Sequence, residues 1–325
     1  MQQLFFKALI SIAKDILHVY FTLLKIMIPA LLVVKGLELM GAIAFISSLL
    51  SPVMTAVGLP SSMGIVWATT IFTNIYGGMI VFFELSANET LSVAQVTVLG
   101  CMMLIAHGLP VEAAIAKKAG VRWRATLSIR IFGALLFGAL LNVIYQQFDY
   151  LQQPNLLLWQ PELVKPSLFE WCVEQVKTLA LIFLIISGLI ILLRLLKWLH
   201  IEKLMHWLLS PLLKLLGLSK EASNITIIGI TLGLSFGGGL LIKEAESGAL
   251  SSKDIFIAMA LLALCHSLIE DTLLIMLLGA HISGIFWGRL AFAIAFVSIM
   301  SRLLSLKQGS PSYRFCISKL PNKNT

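Results

Sequence analysis

Six long apolar segments limit what this chain can fold into. They occupy about residues 20–44, 91–118, 124–147, 172–196, 253–279 and 284–304. A helix needs about 20 residues to cross the hydrocarbon core of a bilayer. Only helices and closed barrels satisfy every backbone hydrogen bond inside lipid. Only 12% of the residues are charged, against roughly 25% in a soluble domain. The sequence therefore predicts an all-α integral membrane protein with six spans.

Two further apolar segments, 61–84 and 221–244, have small and polar residues at their centres. The first contains "TNIYGG" at 73–78, and the second contains "LSFGGG" at 234–239. A glycine-rich centre suits two short helices joined by a tight turn. We therefore predict a re-entrant hairpin in each segment. The alternative is a full span that tolerates its glycines.

The positive charges predict the orientation of the chain. The chain has a net charge of +8. Its Lys and Arg residues cluster before the first span, at 117–124, at 194–220 and from residue 302 onward. With six spans and two hairpins that do not cross, all four clusters fall on one side. The positive-inside rule makes that side cytoplasmic. The charge thus indicates topology and not nucleic-acid binding. The prediction is a multi-pass protein of the inner membrane, surrounded by lipid, with both termini in the cytoplasm.

Three regions lie outside the expected membrane units. Residues 1–19 have a helical apolar stripe, which predicts an amphipathic helix on the membrane surface. Residues 148–171 form a linker. Residues 305–325 are polar and rich in Gly, Ser, Pro and Asn, so we expect a disordered cytoplasmic tail.

An internal repeat relates the two halves of the chain. At a shift of 159 residues, "LLSPVMTAVGL" (49–59) aligns with "LLSPLLKLLGL" (208–218). The same shift pairs His107 with His266, Glu112 with Asp271, and Arg130 with Arg289. At a shift of 160, a GG-x5-E motif recurs as Gly77, Gly78 and Glu84, and as Gly237, Gly238 and Glu244.

The repeat predicts two units, 20–147 and 172–304, that are inverted relative to each other. Each unit has three transmembrane helices, an interfacial helix and a re-entrant hairpin. Because three crossings is an odd number, the second unit enters the membrane from the opposite side. Inverted repeats with broken helices near the midplane are typical of transporters. A duplication without any transport function is the alternative.

The segments "HGLPVE" (107–112) and "HSLIED" (266–271) predict helix breaks inside two spans. Pro110 suits the first turn of a new helix, where Glu112 would interact favourably with the helix dipole. In the second half, Ser267 and Glu270 match a capping box. One interpretation is that Glu112 and Glu270 only cap these helices.

The other interpretation is a central binding site. A charged residue at the bilayer centre costs about 2.5–3.5 kcal/mol even on permissive scales, so such residues usually serve a function. Two histidines with nearby carboxylates suit a proton-coupled substrate or a divalent metal. The candidate metal ligands are His107, His266, Glu112 and Asp271. Cys101 and Cys265 do not obey the repeat, which argues against a thiolate site. Arg130 and Arg289 would pair with carboxylates or extend to the membrane surface.

These motifs resemble the nucleoside-recognition, or Gate, domain proteins over about residues 20 to 304. Related concentrative nucleoside transporters bind ligand between the hairpin tips and the unwound parts of the following spans. The resemblance implies substrate-binding roles for Thr73, Asn74, Ser235, Phe236, His107, Glu112, His266, Glu270 and Asp271. It implies structural or gating roles for Gly77, Gly78, Glu84, Pro110, Arg130, Gly237, Gly238, Glu244 and Arg289.

The leading hypothesis is an ion-coupled transporter of the Gate type, with a small polar solute bound near the midplane. The alternatives are a divalent-metal permease and a non-transporting scaffold of the cell envelope. The chain contains no nucleotide-binding loop and no hydrolase motif. We therefore expect neither an enzyme nor a cofactor. A homo-oligomer is compatible with this arrangement.

Overall fold

The computed structural model describes residues 2–86, 89–156, 167–199, 201–303 and 310–317. Every regular element in these ranges is a helix, as the sequence predicts. The helices of the first half are α1 Gln2–Leu39, α2 Ala42–Ala56, α3 Met63–Phe72, α4 Ile75–Ser86, α5 Val93–Ile105, α6 Leu109–Lys118 and α7 Trp123–Gln147.

The second half follows the same order of long and short helices. Its helices are α8 Leu168–Trp198, α9 Ile201–Leu215, α10 Lys220–Leu232, α11 Leu234–Ser247, α12 Ser252–Leu264 and α13 Glu270–Met276, then a π-helical turn Ser283–Gly288 that continues into α14 Arg289–Leu303. A short helix, α15 Pro311–Cys316, follows near the C-terminus.

Five stretches of the described chain are long and apolar enough to cross a membrane. They are Ile10–Leu39, Val93–Lys118, Trp123–Gln147, Leu168–Leu192 and Ser283–Arg302. The sixth predicted span, 253–279, is not among them, because the non-helical residues 265–269 divide it into α12 and α13. Val93–Lys118 is interrupted in the same way, at residues 106–108. The crossing at 253–279 therefore stays a prediction.

The broken helices form the interior of the molecule. In Val93–Lys118, 78% of the residues in the most apolar 18-residue stretch are buried. The corresponding shares are 17% for Ile10–Leu39 and 22% for Leu168–Leu192. In α12, every residue from Ile255 to Leu264 is buried. The outer helices instead expose large apolar side chains such as Leu32 and Leu184. Lipid is the environment in which that exposure is favourable.

The N-terminal segment is not a separate surface helix. The structure has one continuous helix, α1, from Gln2 to Leu39, so the predicted boundary at residue 19 is wrong. Lys14 and Asp15 do not interrupt the helix, because charged side chains are compatible with helical backbone. Asp15 instead forms an ion pair with Arg194 of α8. Further along α1, the Tyr20 hydroxyl donates a hydrogen bond to the Leu179 carbonyl of α8, at 3.1 Å.

Each predicted hairpin is a pair of short helices, in agreement with the sequence. In the first hairpin, α3 and α4 meet at Thr73 and Asn74. The Asn74 Oδ1 atom accepts a hydrogen bond from the Gly77 amide at 2.9 Å, which caps the start of α4. In the second hairpin, α10 and α11 meet at Gly233, whose φ of 92° favours glycine.

The turn of the second hairpin lies earlier than the sequence predicts. Ser235 and Phe236 belong to the first turn of α11 and not to the tip, and their side chains lie outside the described part of the structure. Gly237 and Gly238 are also inside α11, as Gly77 and Gly78 are inside α4. The turn forms at Gly233 because glycine adopts this positive φ without steric strain.

The glycines of α11 allow close helix packing. A Cβ atom at Gly237 would overlap the backbone of Gly229 in α10, whereas a Cβ at Gly239 would have no neighbour within 4 Å. We expect Gly237→Ala to destabilise the protein by about 1–3 kcal/mol, the typical cost of overpacking. Gly239→Ala should leave stability unchanged or raise it slightly, since Ala favours helix. Thermal unfolding in detergent would compare the two variants, and equal melting temperatures would contradict this packing.

The C-terminal tail is ordered over residues 310–317, so the prediction of disorder is wrong there. The hydroxyl of Ser310 caps α15 by accepting a hydrogen bond from the Tyr313 amide. Ile317 forms a β-bridge with Val121, and its carbonyl accepts a hydrogen bond from Arg122 Nε at 3.0 Å. Burial raises the pKa of the Cys316 thiol to about 11. The contacts place the tail on the same side as the positive loop between α6 and α7.

The start of the predicted linker packs against both halves. The amide of Asn155 donates to the Leu91 carbonyl at 2.8 Å, and its side-chain Nδ2 donates to the Leu278 carbonyl at 2.9 Å. Residues 157–166 of the linker lie outside the described ranges. The described part therefore connects the start of α5 to the loop after α13.

Candidate functional site

Two equivalent helix breaks lie at the centre of the structure. The first separates α5 from α6 at residues 106–108, and the second separates α12 from α13 at residues 265–269. Gly108 and Ser267, which the repeat relates, both have positive φ, at 55° and 46°. Pro110 lies in the first turn of α6 together with Glu112, as the sequence predicts. His107 and His266 precede these turns and lie in the breaks.

Each hairpin contacts the break that follows it in the chain. The Gly108 amide donates to the Thr70 carbonyl of α3 at 3.0 Å, and the Leu268 amide donates to the Ile230 carbonyl of α10 at 2.7 Å. These bonds satisfy backbone groups that the interrupted helices leave open. They also hold the end of the first arm of each hairpin beside a histidine.

The two histidines contact each other across the repeat. Their Nε2 atoms are 3.1 Å apart, and both side chains are buried, with 8% of His107 and 3% of His266 exposed. His107 Nδ1 is 3.0 Å from the Met103 carbonyl, and His266 Nδ1 is 2.7 Å from the Leu262 carbonyl. The carbonyls fix the orientation of both rings, so that both Nε2 atoms face the same point.

Two carboxylates complete the central cluster, which we define as His107, His266, Glu112 and Asp271. Glu112 Oε1 lies 3.1 Å from His107 Nε2 and 3.5 Å from His266 Nε2. Asp271 Oδ2 lies 4.0 Å from His107 Nε2. Ligand atoms of His107, His266 and Asp271 lie within 4.8 Å of one another, close enough to hold one metal ion.

Two arginines support the cluster from the interior. Arg130 and Arg289 are fully buried, so the alternative that they extend to the membrane surface is wrong. Arg130 forms an ion pair with Glu112 and donates from Nε to the Ile105 carbonyl at 2.7 Å. This contact confirms the predicted pairing with a carboxylate for Arg130.

Arg289 contacts backbone carbonyls and forms no ion pair with a described carboxylate. It donates from Nε to the Leu264 carbonyl at 3.0 Å. Its Nη2 atom donates to the His266 carbonyl at 2.9 Å and to the Leu104 carbonyl of the other half at 3.4 Å. Both arginines therefore bind the C-terminal ends of α5 and α12, where the helix dipole favours a cation.

Comparison with curated proteins finds a relative in Bacillus subtilis, the uncharacterized membrane protein YvoD. The two chains are 30% identical over 285 residues, which is 84% of this chain and 87% of the relative. This chain belongs to the YvoD family. The relationship and the apolar helices together establish it as a membrane protein. No family model matches the chain, and no solved structure matches it.

Glu270 is not part of the central cluster. Its side chain forms no hydrogen bond or ion pair with another described residue, and Glu270 is only partly buried. The predicted capping box also does not form, because the N-cap of α13 is Ile269 and makes no side-chain cap. Ser267 lies too early in the chain and has a left-handed backbone.

The predicted tip residues of the first hairpin make local contacts. Thr73 Oγ1 donates to the Thr69 carbonyl at 2.6 Å, and Asn74 caps α4. Gly77 and Gly78 permit close packing, because a Cβ at either position would overlap a threonine side chain. These residues shape the turn beside the first break, and their hydrogen bonds are made within the hairpin.

The two GG-x5-E glutamates have different surroundings. Glu84 accepts hydrogen bonds from Trp171 Nε1 at 2.9 Å and from Gln175 Nε2 at 2.8 Å, which joins α4 to α8. Glu244 contacts only the nearby Ser247 among the described residues. The shared motif therefore does not predict a shared role, and Glu84 acts as a structural connection.

A second polar group, which the sequence does not predict, lies at the other end of α5. Tyr145 and Ser283 hydroxyls are 3.1 Å apart, and Ser283 Oγ lies 2.9 Å from His281 Nδ1. Thr97 Oγ1 accepts a hydrogen bond from the His281 amide at 2.8 Å. The repeat gave no signal here, because the position equivalent to His281 is Arg122.

Proposed function

We propose that this YvoD relative is a secondary transporter in which the central cluster binds the transported solute or ion. The observation that supports this most strongly is the meeting of two histidines and two carboxylates at two helix breaks inside a membrane protein. Buried ionisable groups within membrane segments are expensive, and in transporters they mark substrate or ion pathways. We therefore favour transport over catalysis.

The contacts between equivalent residues support an inverted repeat. His107 contacts His266, and Tyr20 contacts Leu179, and each pair is separated by the 159 residues of the repeat. Two equivalent residues can touch only where the axis relating the halves passes between them. This arrangement agrees with the Gate-type plan that the motifs resemble, in which the site lies at the interface of the repeats.

The proposed orientation has both termini in the cytoplasm. Arg122 binds the backbone of Ile317, so the positive loop between α6 and α7 and the C-terminal segment share a side, as the positive-inside rule requires. An epitope at the C-terminus should be cut by added protease in inverted membrane vesicles and protected in right-side-out vesicles. The reverse pattern would contradict this orientation.

Transport is tested most directly with purified protein in liposomes. We expect wild-type protein to carry at least one solute from a panel of nucleosides, organic anions and metal ions. His107→Gln and His266→Gln should each reduce flux to the level of empty liposomes, because both rings meet at the proposed site. His206→Gln is the matched control, since His206 is exposed on α9 and contacts Asn224 and Ser210.

Two results would count against the proposal. One is an absence of flux for every solute by wild-type protein that remains folded in the liposomes. The other is flux that persists unchanged in both His107→Gln and His266→Gln. Thermal unfolding of each variant in detergent shows whether a loss of flux is accompanied by a loss of folding.

A further inference from the structure

We propose that the central cluster is a binding site for a divalent transition-metal ion, with His107, His266, Asp271 and Glu112 as ligands. The inference rests on the proposed function, because it names the class of solute that the same site would carry. It follows from which atoms of the cluster can donate a hydrogen and which can only accept one.

The tautomer of both histidines is set by the backbone. A carbonyl oxygen can only accept a hydrogen bond, so the Nδ1 atoms beside the Met103 and Leu262 carbonyls must both carry hydrogen. In the neutral rings, both Nε2 atoms then have free lone pairs. These two lone pairs face each other across 3.1 Å, with no hydrogen left between them. The same arrangement, an Nδ1–H group on a carbonyl and a free Nε2, is typical of metal-binding histidines.

The carboxylates add two more acceptors at the same place. Glu112 uses Oε2 to pair with Arg130, which leaves Oε1 facing both histidines. Asp271 is 8% exposed, and its Oδ2 atom has no hydrogen-bond partner among the described residues. Four lone-pair atoms thus converge without a donor. A cation supplies what these four atoms lack.

Three separations in the cluster are close to those of a tetrahedral metal site, and Asp271 would move inward to complete it. Ligands at about 2.0–2.1 Å from a tetrahedral metal lie about 3.3–3.4 Å from one another. The separations among His107, His266 and Glu112 are 3.1, 3.1 and 3.5 Å. Asp271 Oδ2 lies 4.0 Å from His107 Nε2, and the ligand atoms of Asp271 and both histidines lie within 4.8 Å of one another. Two imidazoles and two carboxylates suit zinc, iron, manganese or cobalt better than magnesium or calcium, which prefer oxygen ligands.

The arginines limit how tightly this site holds a metal. Two guanidinium groups already offset two carboxylates, so a divalent ion would add positive charge to a buried centre. Both guanidinium groups also donate hydrogen bonds to carbonyls at the ends of α5 and α12, which offsets part of their positive charge. The remaining repulsion favours release of the ion, and a transport site must release what it binds.

Titration of purified full-length protein in detergent with Co²⁺ tests the site. Tetrahedral Co²⁺ gives visible absorption bands, and we expect them to saturate at one equivalent per chain. Addition of Zn²⁺ should remove them by competition. His107→Gln and His266→Gln should abolish the bands, while the exposed-histidine control His206→Gln should keep them.

Asp271→Asn keeps the size of the side chain and tests the site if a histidine variant fails to fold. Its affinity for Co²⁺ should fall about tenfold or more, since even the loss of an outer hydrogen-bond partner of a metal ligand costs about 10–100-fold. Two outcomes would overturn the inference: no saturable band with folded wild-type protein, or bands of equal intensity and affinity in wild-type and Asp271→Asn protein.

The metal inference and the transport proposal can be contradicted independently. If wild-type protein binds no Co²⁺ or Zn²⁺ but carries an organic solute that His107→Gln cannot carry, the metal inference is wrong and the transport proposal remains. If wild-type protein binds one Co²⁺ that Asp271→Asn does not, yet carries no solute, the metal site remains and the transport proposal is wrong.

Discussion

Replacing Arg289 with glutamine is expected to cause a large loss of stability. Two of its hydrogen bonds, to the Leu264 and His266 carbonyls, are 3.0 Å or shorter. A hydrogen bond to a charged group contributes about 1.5–3 kcal/mol, so their loss should cost about 3–6 kcal/mol. The carbonyls at the end of α12 would be left buried without a donor, and the second break would lose its support.

Arg302→Gln is the matched control for this variant. Arg302 is in the same helix, α14, but it is exposed, and removal of an exposed charge usually changes stability little. Thermal unfolding in detergent should show a large drop in melting temperature for Arg289→Gln and almost none for Arg302→Gln. Similar melting temperatures for the two variants would mean that Arg289 does not hold the break.

The second large effect is a difference in stability between variants of the two carboxylates of the central cluster, Glu112 and Asp271. Glu112→Gln should cost about 3–5 kcal/mol, because Arg130 is fully buried and would lose its ion-pair partner. Asp271→Asn should cost about 1 kcal/mol or less, because its Oδ2 atom has no hydrogen bond to lose. Yet Asp271→Asn should reduce transport and weaken Co²⁺ binding about tenfold or more, since a neutral amide is a poor metal ligand.

A double variant checks the reason for the Glu112 effect. Glu112→Gln combined with Arg130→Gln removes both charges, and we expect it to be more stable than Glu112→Gln alone. Breaking a buried pair leaves one uncompensated charge, whereas removing both partners does not. If Asp271→Asn proved as unstable as Glu112→Gln, Asp271 would be a structural residue and not a ligand.

The different partners of the two carboxylates follow from an asymmetry between the repeats. Arg130 binds Glu112, but the equivalent Arg289 binds three carbonyls and forms no described ion pair with Asp271. One half of the site is thus stabilised internally, and the other half retains an acceptor without a partner. Buried groups that are left unsatisfied in a folded protein often serve a ligand.

Several features followed directly from the sequence. The apolar segments predicted a helical membrane protein, because only intrahelical hydrogen bonds satisfy an open-ended chain in lipid. Pro110 predicted the first helix break, since proline cannot occupy a helix interior without loss of a hydrogen bond. The 159-residue repeat paired His107 with His266, and the relation to YvoD supports the membrane assignment.

Other features depended on the tertiary structure. Local sequence could not place the second hairpin turn at Gly233 instead of Ser235, because several adjacent small residues suit a turn equally well. It could not show that residues 310–317 pack beside Val121, since that contact joins positions far apart in the chain. Nor could it decide which carboxylate each arginine binds. That choice depends on the distance from each arginine to the carboxylate of its own repeat. The repeat predicts equal distances in the two halves, but they differ in the folded structure.

The histidine pair illustrates the division most clearly. The sequence determined that two histidines lie at equivalent breaks, because the repeat fixes their positions along the chain. Only the folded structure decided that the Met103 and Leu262 carbonyls fix both Nδ1 atoms, so that both Nε2 atoms face one point. The orientation of an imidazole ring depends on its hydrogen-bond partners in three dimensions, and a one-dimensional pattern does not contain them.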